Sequence, residues 1–191
     1  MAGTRFLQDK DYLQEKPDKM VYLVIEASSH TMTMPARYKL LKMSNKQASE
    51  VFAIEKQFAE QKREIEEDKE GKYSKAKKNL EDVLKQVAKA DIKDTYIQLS
   101  IYDSIRSEFL GAMDAEISSR RQEADQKVEN IHKKCGEPLR FDGPKKEMAQ
   151  TDSRLVVTKH QILTPDDLRQ LIKNGELVLV DKKHAKSLLK N

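Results

Sequence analysis

Along most of the chain the apolar residues recur at helical intervals; only near the two ends do they cluster or alternate as strands do. Met20-Val21-Tyr22-Leu23-Val24-Ile25 is a run of six apolar residues without helical spacing and predicts a buried strand. Ser28-Ser29-His30 reads as a turn. Thr31-Met32-Thr33-Met34 alternates polar with apolar, so the two runs are expected to pair as a short β-hairpin. Residues 1–19 are polar and read as an arm, which makes residues 1–35 an arm followed by a hairpin.

Pro35 stands where a helix can open, because its fixed φ and missing N–H are tolerated in a first turn. Beyond it Leu40, Ser44, Gln47, Val51, Ile54, Phe58, Gln61 and Ile65 are spaced alternately by four and three, a heptad seam. Polar Ser44, Gln47 and Gln61 weaken the seam, so it predicts a helix face that needs a partner. Gly71 ends a run without apolar residues and predicts a turn. A second seam follows at Tyr73, Ala76, Leu80, Val83, Val87 and Ala90. Asp94 is then placed to cap a third helix. That helix carries Ile97, Leu99, Ile101, Tyr102, Ile105, Phe109, Leu110, Met113 and Ile117, and thins through Ala124, Val128 and Ile131. Lys133 and Lys134 suit its last turn, and Gly136 and Pro138 its stop. Residues 36–135 are therefore expected to form a long-helix, coiled-coil-like region. Its packing or partner contacts would be Val51, Ile54, Phe58, Ile65, Leu80, Val83, Val87, Ile101, Ile105, Phe109, Met113 and Ile117.

Residues 136–153 hold Gly136, Pro138, Gly143 and Pro144 and read as a linker. Residues 154–191 read as a small β-α-β unit with a basic tail. Its parts are a strand at Leu155-Val156-Val157, a helix capped by Thr164 with Pro165 in its first turn, and a strand at Leu177-Val178-Leu179-Val180. The expected fold is mainly α: an elongated antiparallel helical hairpin or three-helix coiled-coil-like middle, with small α/β elements at the two ends.

Composition supports an elongated form, since 38% of residues are hydrophobic and 36% charged, against roughly half and a quarter in an ordinary globule. The net charge of +4 is too small for a protein that coats DNA, although local basic patches remain able to meet phosphate. Cys135 is the one cysteine, so no internal disulfide forms. No secretory signal and no membrane-length apolar run is found, and a cytoplasmic setting is expected, or a virion or infected-cell cytoplasm for a viral protein.

His132 and Cys135 share a helical spacing, but a zinc site needs about four ligands and the other histidines are scattered. The acids between Glu64 and Glu70 read as a solvated face. No catalytic, metal or cofactor motif is found, and no small-molecule substrate is predicted. Three basic clusters are candidate phosphate or nucleic-acid contacts: Arg37, Lys39, Lys42 and Lys46; Lys72, Lys75, Lys77 and Lys78; and Lys182, Lys183 and Lys186. The expected function is that of a non-enzymatic structural or interaction protein (scaffold, adaptor or assembly factor) that self-associates or binds a protein partner. The alternative is a nucleic-acid-associated accessory protein, of nuclease-inhibitor or recombination-mediator type.

Overall fold

The computed structural model describes residues 5–6, 13, 16–29, 31, 34–90, 92–144, 157–181, 183 and 188. In chain order the elements are β1 (Arg5–Phe6), β2 (Met20–Ser28), β3 (Arg37–Ser44), α1 (Asn45–Glu67), α2 (Ser74–Ala88), α3 (Thr95–Lys134), β4 (Leu139–Asp142), β5 (Gln161–Leu163), α4 (Pro165–Lys173) and β6 (Val178–Leu179). They fall into two compact units, Met1–Ala53 with Val128–Asn191, and Ile54–Lys127.

The first unit is built on a six-stranded sheet, order β1-β5-β2-β3-β4-β6, with every neighbouring pair antiparallel. This overturns the expectation of a mainly helical protein with a coiled-coil-like middle and minor elements at its ends. The protein is mixed α/β. Short strands from both ends of the chain cannot satisfy their backbone groups alone, and they do so by joining one sheet. β5 pairs with β1 and β2, and β6 pairs with β4, so the C-terminal elements are not a separate β-α-β unit. The stretch read as a linker contributes β4. Residues 145–153 of that stretch lie outside the described residues, as do Leu155 and Val156 of the expected strand.

β2 is the strand its apolar run predicts, but its partner is β3 rather than Thr31–Met34, of which Met32 and Thr33 lie outside the described residues. Val21 faces Met43, Leu23 faces Leu41 and Val24 faces Leu40, with a bulge between Val24 and Glu26. β3 lies where the heptad seam predicts the opening of a helix. Tyr38, Leu40, Leu41 and Met43 are all buried, although they point alternately to the two faces. A strand covered on both sides loses its polar alternation, and Leu40 and Ser44 then fit a heptad by accident. The helix begins at Asn45. The Ser44 hydroxyl accepts from the Gln47 N–H at 3.2 Å, and the Ser44 N–H donates to the Gln47 side chain at 2.9 Å. This reciprocal capping box fixes the true start.

One face of the sheet presents Tyr22, Val24, Tyr38, Leu40, Phe141 and Leu163 to a core that Leu168 of α4 and Leu177 complete. Val21, Leu23, Leu41, Met43 and Ile162 are buried on the other face. α4 is held at its start by a second capping box, Thr164 with Asp167, at 3.1 and 2.9 Å.

In the second unit the three helices share one apolar cluster. Tyr73, Leu80, Leu110 and Met113 are its buried members, and Ile65, Ile105, Phe109 and Ile117 pack against them. The turn between α1 and α2 passes through Gly71 at a φ of 71°. The Asp68 carboxylate accepts from the Tyr73 N–H at 2.9 Å and the Ser74 hydroxyl at 3.0 Å. Asp94 caps α3, accepting from the Tyr96 and Ile97 N–H groups at 2.9 and 3.1 Å.

Candidate interaction surfaces

Of the contacts expected along the helices, Val51 is buried in the first unit, and Leu80 and Met113 in the second. Ile65, Ile105, Phe109 and Ile117 join the same cluster as Leu80 and Met113, whereas Ile54, Phe58, Val83, Val87 and Ile101 are half-buried outside it. α1 meets α3 at a site the sequence did not show. The Arg121 guanidinium lies 4.6 Å from the centre of the Phe58 ring and makes two hydrogen bonds to the Glu55 carboxylate, at 2.7 and 2.9 Å. It also donates to Asp125 at 2.8 Å. Hydrogen bonds from the guanidinium, to Glu55 first and Asp125 second, push its pKa still higher, so Arg121 is a fixed cation.

The start of α3 leaves large apolar side chains in solvent. Tyr96 is 81% exposed, Ile97 50% and Leu99 57%. Leu99 stands about three helical turns before Leu110 and about five before Ile117, so all three share one side of α3. From Leu110 onward that side packs in the cluster to which Ile65 of α1 contributes. α1 ends at Glu67. Leu99 itself is exposed, so the cluster shared by the three helices does not reach the start of α3.

The lysine clusters are partly consumed by internal pairing. Lys72 meets Glu116 at 2.5 Å, and the Tyr73 hydroxyl donates to the same carboxylate at 2.5 Å. These hydrogen bonds, Lys72 first and Tyr73 second, hold the Glu116 carboxyl below its ordinary pKa, and the Glu116 bond in turn raises Lys72. Lys77 donates to the Glu66 carbonyl. Lys75 and Lys78 are exposed and make no ion pair among the described residues. On β3, register places Lys39 between Glu26 and Arg140, and Arg37 between Ser28 and Asp142. Lys39 pairs with Glu26 at 2.5 Å. Arg37 and Lys39 lie on one face of the sheet, and Lys42, three residues beyond Lys39, lies on the other. Lys46 is exposed in the first turn of α1, and Lys183 is exposed; Lys182 and Lys186 lie outside the described residues.

Lys42 instead borders a cavity of about 160 Å³ in the first unit, between the sheet and α4. Met20 and Tyr22 of β2 line it from the sheet, and Pro165, Leu168 and Arg169 from α4. Leu188 closes a further wall. Tyr22 is only 5% exposed. Burial pushes its phenol pKa up, against the nearby Arg169 charge, so the hydroxyl keeps its proton at neutral pH.

His132 is half-buried near the end of α3, and its Nε2 is enclosed with no hydrogen-bond partner among the described residues. Burial lowers its pKa, with the His160 and Lys159 charges acting the same way and Glu129 opposing. Cys135 donates to the Ile131 carbonyl at 3.2 Å, and burial pushes its thiol pKa up. Among the described residues no three of His, Cys, Asp and Glu converge to hold a metal ion. No helix among them is long and apolar enough to cross a membrane.

No family model matches the chain, and neither a curated protein nor a solved structure matches it.

Proposed function

We propose that this is a non-enzymatic interaction protein whose helical unit associates with a second copy of itself through the start of α3. The observation that carries this reading is the exposure of Tyr96, Ile97 and Leu99 at the start of α3, beyond the cluster the three helices share. A helix cannot bury an amphipathic face alone. Charge favours a second copy as the cover. α2 carries Lys75, Lys77, Lys78 and Lys85 against Glu81 and Asp82, net +2. Residues 95–117 of α3 carry Asp103, Glu108, Asp114 and Glu116 against Arg106, net −3. A two-fold contact is self-complementary, so α2 of each copy can face α3 of the other.

Sedimentation velocity of the full chain over a concentration series tests this. The expected result is a sedimentation coefficient that rises with concentration, and a loss of that rise in Leu99→Asp and in Tyr96→Lys. A wild-type monomer throughout the micromolar range would sink the reading. The nucleic-acid alternative rests on Lys75, Lys78, Lys42 and Lys46. It predicts duplex binding that weakens steeply with added salt, and unchanged anisotropy of a labelled duplex at low salt would remove it.

A further inference from the structure

The cavity between β2, β3 and α4 supports an inference independent of self-association. Three of its lining side chains carry hydrogen-bond donors: the Tyr22 hydroxyl, the Lys42 ammonium and the Arg169 guanidinium. Among the described residues no carboxylate lines it. Tyr22 and Lys42 are register partners across β2 and β3, so a rigid pair of strands places them side by side. Among the described residues neither the Tyr22 hydroxyl nor the Lys42 ammonium has a hydrogen-bond or ion-pair partner. Arg169 pairs with Asp166 through one nitrogen, and Asp166 does not line the cavity. A guanidinium has five N–H donors, so the pair leaves others available. The remaining walls, Met20, Pro165, Leu168 and Leu188, are apolar.

Two cations, Lys42 and Arg169, with no carboxylate among the described lining residues favour an anion, and apolar walls favour one with a hydrocarbon body. A volume of about 160 Å³ is of the size that holds one small organic molecule. We infer that this cavity binds a small aliphatic carboxylate, its charged end held by Lys42, Arg169 and Tyr22 and its body against Leu168 and Leu188. Inorganic phosphate would satisfy the donors but leave the apolar walls unfilled.

The test is a titration of the full chain followed by amide and methyl NMR shifts, with isovalerate as the probe. Isoamyl alcohol and inorganic phosphate are titrated in parallel. Isovalerate is expected to saturate shifts at Tyr22, Leu168 and Arg169, with both comparison compounds binding more weakly. Lys42→Met is expected to weaken isovalerate roughly tenfold through loss of a charge-assisted hydrogen bond and to leave isoamyl alcohol unchanged, while Lys42→Arg retains binding. Lys42 is exposed on a strand, so these variants are expected to fold, and their amide spectra report whether they do. Alcohol binding as tightly as isovalerate would overturn the assignment of an anion site. Phosphate binding as tightly would overturn the carboxylate class. The absence of saturable shifts with all three would overturn the site itself.

Discussion

His132 is the side chain whose protonation the fold resists. Its folded-state pKa lies below its ordinary value, first through burial and then through the His160 and Lys159 charges, with Glu129 opposing. Above about pH 6.5, the ordinary pKa of the unfolded side chain, both states hold it neutral and it contributes no pH dependence. As the pH falls through that value the unfolded chain takes up a proton that the folded chain refuses, and stability is lost. Urea midpoints at pH 7.5 and 5.5 are expected to drop on acidification, and His132→Gln to reduce the drop. An identical drop in the variant would assign the pH dependence elsewhere. Gly71 is the residue-scale counterpart in the backbone. Its φ of 71° is left-handed, so Gly71→Ala is expected to cost about 1–2 kcal/mol, read as a lower urea midpoint. Punctuation of this kind was legible from the sequence, because the conformations of Gly71, Asp94, Gly136 and Thr164 are set locally. The pairs Lys39 with Glu26 and Lys72 with Glu116 were not, since nothing in a lysine cluster says which distant acid will meet it.

Among the elements, the boundary between β3 and α1 shows how two patterns compete for the same residues. Apolar residues at Leu40, Val51, Ile54 and Phe58 share a heptad phase, yet the backbone switches from strand to helix between Ser44 and Asn45. The deciding signal is Ser44 with Gln47, a capping pair placed mid-seam. Ser44→Ala is expected to cost about 1 kcal/mol in thermal or urea unfolding. The short strands were hidden for a different reason. β1 and β6 have two residues each, too few to show a period of two, and each exists because a longer neighbour offers it an edge. Tyr96, Ile97 and Leu99 were legible as apolar but not as exposed, because exposure depends on how far the three-helix cluster reaches along α3. The cavity was not legible at all, since β2, β3 and α4 bring its residues together from three parts of the chain.

At the scale of the molecule, two cores share one chain. The sheet unit buries Tyr38, Leu40, Phe141 and Leu168 at 1% exposure or less, whereas α2 buries Leu80 alone. Opening free energies within a protein follow such differences in buried apolar contact. Native-state hydrogen exchange is expected to release the amides of α2 and of the start of α3 well before those of β2 and β3. Equal protection in both sets would show that the chain opens only as a whole. One consequence follows from β3 and β4 being neighbours in the sheet. Leu40 pairs with Leu139, and the three helices α1, α2 and α3 lie between them in sequence. A flexible excursion of that length would make the pairing improbable and slow. Helices stiffen the excursion and bring its ends back together, so folding of the helical unit is expected to be the rate-governing step for completing the sheet. Leu110→Ala, remote in sequence from every strand, should therefore delay the appearance of β3–β4 amide protection in pulse-labelling during refolding.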